Sequence, residues 1–192
     1  LRGGVTTDKI FGLVSDLRRD VSVPLVFMTY SNVVFSYGAD RFFSRCEEVG
    51  INGVILPDLP FEEKEEFSPF AKTHGVSLIS LIAPTSQNRV AAIAKEAEGF
   101  LYLVSSLGVT GVRKEITTDL TGTMASIKAN ASVPCAIGFG ISTPEQARTM
   151  ASLADGVIVG SAVVRLFEKY GKDAPKRVGA YVAEMKKAIS DL

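Results

Sequence analysis

Pro134-Cys135-Ala136-Ile137-Gly138-Phe139-Gly140-Ile141-Ser142-Thr143-Pro144-Glu145 is a complete strand-to-helix unit written in twelve residues. The apolar run at 134–137 reads as a strand, the glycines at 138 and 140 as a tight turn, and Ser142-Thr143 as a hydroxyl cap. Pro144 follows at the first helical position, where its missing N–H costs nothing. Working outward, the same alternation recurs along the chain. Apolar runs at 24–30, 53–56, 76–82, 100–105 and 155–159 join the one at 134–137. They are near-continuously apolar, as parallel strands buried on both faces are. Between them lie helical patterns at 7–19, behind Thr6 and Thr7 as caps, and at 39–49, 62–74, 88–98 and 119–130, with a short helix at 163–170 and a longer one at 175–192.

Strand–helix alternation without a linker predicts one α/β domain with a parallel sheet. An open dinucleotide-binding sheet would carry G-x-G-x-x-G after a strand, and no strand here does. Six strand units preceded by an unpaired helix fit a TIM (β/α)8 barrel instead, which has eight units in about 250 residues. The 192 residues therefore read as strands three to eight, an incomplete barrel with its N-terminal part missing. The absence of an initial Met points the same way.

Composition narrows the functional classes. Lys plus Arg and Asp plus Glu both number 21, so no excess of positive charge exists to meet nucleic acid or an anionic membrane. Cys46 and Cys135 are isolated in apolar settings, which argues against a disulfide framework or a thiolate metal cluster. No run approaches the roughly 18–20 apolar residues of a membrane span, and Leu1-Arg2-Gly3-Gly4 is no signal peptide. The expectation is a cytoplasmic protein. His74 sits near a helix end, where contact with the helix dipole accounts for it without a metal. Arg113-Lys114-Glu115 reads as part of a solvated loop.

In a barrel the chemistry lies in the loops after the strands. Those after the last three strands, 105–111, 138–142 and 160–162, are rich in glycine and open towards helices. Glycine lets backbone N–H groups approach a ligand, and a helix N-terminus favours an anion. These loops predict a phosphate site.

Met28-Thr29-Tyr30-Ser31-Asn32, Pro57-Asp58-Leu59-Pro60 and Leu103-Val104-Ser105-Ser106-Leu107-Gly108-Val109-Thr110-Gly111 stand in order with Gly138-Phe139-Gly140-Ile141-Ser142 and Gly160-Ser161-Ala162. In order and spacing these motifs resemble the tryptophan synthase alpha subunit, over essentially the whole chain. The resemblance implies a lyase of tryptophan biosynthesis that cleaves indole-3-glycerol phosphate to indole and glyceraldehyde 3-phosphate. It implies no cofactor in this subunit, with pyridoxal phosphate in a beta partner of an alpha2-beta2 tetramer. Carried over motif by motif, Gly111, Gly140, Gly160 and Ser161 would hold the substrate phosphate. Met28, Ile55, Ile82, Tyr102, Phe139 and Ile158 would line the indole pocket. Asn32, Asp58 and Pro60 would position groups or meet the partner. The family's catalytic Glu and Asp match nothing here and are expected upstream of Leu1, which leaves this stretch alone inactive. The alternative is a non-catalytic truncated barrel that keeps phosphate or beta-subunit binding. From the residues alone, Asp58 reads as a cap for the helix beginning near Phe61, and Phe35 is either a further candidate for the partner contact or core.

Overall fold

The computed structural model describes residues 3–84, 87–105 and 120–190. It divides into two compact units, Leu1–Ser80 and Leu81–Leu192.

The first unit runs α1 (Thr7–Leu17), β1 (Val26–Met28), α2 (Ser31–Tyr37), α3 (Ala39–Val49), β2 (Gly53–Ile55), a 3-10 turn (Phe61–Glu66), α4 (Ser68–Thr73) and β3 (Ser77–Ile79). Its strands are parallel in the order β1-β2-β3. Phe27, Val54 and Leu78 are in register and pack with Phe11, Phe42, Phe43, Cys46 and Val49. Phe11 meets Phe27 and Phe42 edge-on, each at 5.5 Å between ring centroids. Each such buried phenylalanine contributes roughly 1.5–3 kcal/mol relative to an exposed one. Met28, Ile55 and Ile79 occupy the opposite face, because strand side chains alternate.

Arg18 ties this unit together at its N-terminal edge. Its guanidinium donates to the carbonyls of Gly50 and Val23 and to Asn52 Oδ1, which also accepts from the N–H of Leu25. The end of α1, the start of β1 and the turn after α3 thus share one hydrogen-bonded hub. Gly50 takes a left-handed φ of 79° there and closes α3.

Two expectations change in this unit. The single helix at 62–74 is a 3-10 turn followed by α4, because Pro69 cannot sit inside a helix and instead opens the second one. In β1, Val26 and Met28 are exposed rather than buried on both faces, because only the Phe27 side packs against helices. The helix α2 was not anticipated at all.

The second unit runs β4 (Leu81–Ile82), α5 (Gln87–Lys95), β5 (Leu101–Val104), α6 (Leu120–Asn130), β6 (Cys135–Gly138), α7 (Pro144–Ala151), β7 (Gly156–Ile158), α8 (Ser161–Tyr170), a 3-10 turn (Gly171–Asp173) and α9 (Ala174–Ile189). The strand order is β4-β5-β6-β7, again all parallel. The run expected as one strand at 76–82 is therefore two, β3 and β4, interrupted at Ser80. Asp155 fixes the register of β7: its carboxylate accepts from the N–H of Cys135, and its own N–H donates to the Cys135 carbonyl. The cap expected before Pro144 is Thr143, in a reciprocal capping box with Gln146. Among the described residues, no helix is long and apolar enough to cross a membrane.

Candidate functional site

Parallel strands deliver their following loops to one edge of a sheet. In the second unit Val104, Gly138 and Ile158 are in register at the ends of β5, β6 and β7. Tyr102 lies two residues before Val104, on the same face, and is buried. A Cβ on Gly138 would stand 2.2 Å from the Tyr102 hydroxyl oxygen, so only glycine fits beneath that ring. Burial pushes the Tyr102 phenol above its ordinary range.

Beyond Gly138 the chain turns through two left-handed residues. Phe139 has φ 79° and Gly140 φ 77°. Glycine adopts this freely, whereas for phenylalanine such a conformation stores of order 1–3 kcal/mol and persists only when its surroundings hold it. The Phe139 ring meets Tyr102 edge-on at 6.3 Å. The Ser105 hydroxyl donates to the Phe139 carbonyl at 2.7 Å. Further along, Gln146 accepts from the Ser142 N–H, and the Tyr181 hydroxyl of α9 donates to the Ser142 carbonyl at 3.0 Å.

Gly140 and Gly160 each lie two residues past the paired Gly138 and Ile158, so their loops leave adjacent strands at equivalent heights. Added Cβ atoms at either glycine would meet nothing within 4 Å. Val163 and Val164 both donate to the Gly160 carbonyl, so the N–H groups of Ser161 and Ala162 precede the α8 hydrogen-bond ladder. Free N–H groups at the positive end of a ten-residue helix suit an anion. Arg165 donates to the Ser161 carbonyl at 3.4 Å, adding a guanidinium to that turn. Neither Ser105 nor Arg165 stood out in the sequence as a site residue. Gly111 lies outside the described residues, as does the Arg113-Lys114 pair.

The apolar positions separate. Ile158, half-buried, shares the face of Tyr102. In the first unit Met28 and Ile55 are paired on one face. Ile82 departs from the expectation. It is in register with Leu103, whereas Leu81 pairs with Tyr102. Ile82 therefore lies across the sheet from Tyr102 and is wholly buried with Leu103 and Ile137. The strand period of two, read from a run broken at Ser80, accounts for the difference.

Asp58 also differs from its sequence reading. Its carboxylate accepts the N–H and hydroxyl of Ser31, capping α2 rather than the turn at Phe61. Desolvation pushes its carboxyl up, but the hydrogen bonds from Ser31 outweigh that and hold it below the ordinary range. Asn32 and Pro60 are exposed beside it. Phe35 is 76% exposed, not core. His74 joins Glu47 through Nδ1 at 2.8 Å and Asp40 through Nε2 at 3.1 Å, which goes beyond a dipole contact. Burial pushes the thiols of Cys46 and Cys135 up to about 12 and about 11, so both stay protonated. A cavity of about 540 Å³ among Tyr170, Lys172, Pro175 and Arg177 lies at the α8–α9 corner, apart from these loops.

Parallel strands alternating with helices, with loop mouths open at the strand ends, define a protein of the TIM-barrel α/β class. A family model described as tryptophan synthase alpha chain matches residues 1–190. The tryptophan synthase alpha chain of Lacticaseibacillus casei is 46% identical over 185 residues, covering 96% of this chain and 70% of that protein. The crystal structure of tryptophan synthase subunit alpha from Legionella pneumophila superposes with a TM-score of 0.86 at 32% identity, over 100% of this chain and 72% of that one. A structure of the tryptophan synthase a2b2 complex from Pyrococcus furiosus gives a TM-score of 0.86 at 32% identity, over 96% of this chain and 75% of that one. This chain belongs to the tryptophan synthase alpha chain family, and with it to the lyases of tryptophan biosynthesis.

Proposed function

We propose that this chain carries the substrate-binding part of a retro-aldol lyase that cleaves indole-3-glycerol phosphate to indole and glyceraldehyde 3-phosphate. The observation that carries the proposal is the pair of adjacent loop mouths at Gly140 and Gly160. They open beside the Tyr102–Phe139 ring pair, so an anion and a flat apolar ring would find complementary groups side by side. The phosphate would lie on the N–H groups of Gly140, Gly160 and Ser161. The indole would lie against Tyr102, Phe139 and Ile158. Ile82 supports the sheet from behind.

Cleavage breaks the bond between indole C3 and the glycerol chain. One group delivers a proton to C3, and another removes the hydroxyl proton as the aldehyde forms. No carboxylate among the 192 residues matches the family's acid/base pair. Asp58, a carboxylate on a loop after a strand, is committed to capping α2. We assign these residues binding and not proton transfer, with no cofactor of their own.

The beta subunit is the proposed partner, and pyridoxal phosphate belongs to it. Asn32, Asp58 and Pro60, with exposed Phe35 alongside, would form part of the contact. Calorimetric titration of the chain with glyceraldehyde 3-phosphate tests the site: saturable binding is expected, and no binding at millimolar ligand overturns it. Retention by an immobilised beta subunit, lost on Phe35→Asp, is the corresponding test of the contact.

A further inference from the structure

We propose that Ser105 is the positioning residue for the turn after β6. The proposal rests on the anion reading above. Its structural half stands apart from that reading.

Ser105 directly follows β5, next to β6, and is 2% exposed. It grips two successive carbonyls of the neighbouring turn. Its N–H donates to the Gly138 carbonyl at 3.0 Å, and its hydroxyl donates to the Phe139 carbonyl at 2.7 Å. These two carbonyls bracket Phe139, the sole non-glycine residue with positive φ among the described residues.

A left-handed phenylalanine relaxes unless its flanking peptides are held. The backbone bond to Gly138 continues the strand ladder and would form with any residue except proline at 105. The bond to Phe139 needs a side-chain donor, which alanine at 105 would lack. The hydroxyl also lies on the buried side, where water does not compete for the carbonyl.

Rotation of the Phe139–Gly140 peptide would reorient the Gly140 N–H, one of the groups proposed for the anion. It would also move the Phe139 ring off Tyr102. Ser105 thus acts on both halves of the site through one carbonyl, without touching a ligand itself.

The test uses the full chain and its Ser105→Ala and Ser105→Thr variants, with amide resonances of Phe139 and Gly140 as reporters and inorganic phosphate as probe. Ser105→Ala is expected to shift both resonances in the free protein and to weaken phosphate binding about tenfold, the scale of one hydrogen bond. Ser105→Thr, which keeps the hydroxyl, is expected to restore both. Unchanged Phe139 and Gly140 resonances in Ser105→Ala overturn the proposal. If wild type binds no phosphate while those resonances shift in the variant, the anion reading fails and the positioning role stands. Should Ser105→Ala not fold, Ser105→Cys replaces it, keeping the size with a weak donor and carrying the same expectation.

Discussion

Asp58, at the turn after β2, holds Ser31, the first residue of α2, by its backbone N–H at 2.9 Å and its hydroxyl at 2.8 Å. The residue before the helix, Tyr30, offers no side-chain cap. A carboxylate from 27 residues away therefore does the work of a local cap. Because the carboxyl is held below its ordinary range, its contribution to stability is present above the unfolded value near 3.8 and is lost as pH falls through the lower folded value. Asp58→Ala is expected to lower stability by about 0.5–1 kcal/mol, the lower part of the capping range given its solvent exposure. Urea denaturation at pH 7 reads this directly, and a loss below about 0.2 kcal/mol would contradict the capping role.

That bond also explains what the sequence conceals. The bond that caps Ser31 comes from another turn, and Ser31-Asn32 ahead of Val33 reads locally as a turn, so α2 is not marked as a helix. Elsewhere local rules suffice: the hydroxyl cap at Ser142-Thr143 and Pro144 behind it announce α7. The positive φ of Phe139 is invisible by the same logic, because its support at Ser105 lies 34 residues upstream. The strand-end loops were legible as glycine clusters. The face on which Ile82 falls was not, since it depends on an interruption at Ser80 that no pattern marks.

His74 bridges Glu47 and Asp40 of α3 from the end of α4, and these contacts raise its pKa, the Glu47 bond most and the Asp40 bond next. A raised folded value means that the stabilisation is fully present below about pH 6.5 and is lost as pH rises through the folded value. The melting temperature of wild type is expected to exceed that of His74→Gln at pH 6 by more than it does at pH 9. An equal gap at both values would show that the bridge does not depend on the charge.

Gly138 has no room for a methyl group, because an added Cβ would lie 2.2–2.5 Å from three atoms of the Tyr102 ring and hydroxyl. Gly138→Ala must displace a buried ring, and overpacking of this kind costs about 1–3 kcal/mol. Tyr102→Ala alone leaves a cavity costing about 3–5 kcal/mol, the range for a large aromatic. Combined, each change relieves the other, so the double variant is expected to be more stable than the sum of the two losses. Additive losses in urea denaturation would mean that the two residues do not meet.

Gly160 differs from Gly138 and Gly140 in a way that isolates ligand space from backbone strain. Its φ of −118° lies outside the left-handed region, and an added Cβ would meet nothing within 4 Å. Substitution there should leave the fold nearly untouched, within about 0.5 kcal/mol as for other unconstrained positions. The volume it fills is the volume proposed for the phosphate, directly before the open N–H groups of α8. Gly160→Ala is expected to weaken glyceraldehyde 3-phosphate binding and Gly160→Val to abolish it, with both variants melting close to wild type. Gly140→Ala makes the contrast, since its φ of 77° penalises the fold as well as the site. Binding by Gly160→Val at wild-type strength would remove Gly160 and Ser161 from the anion site, whatever the fate of the indole pocket.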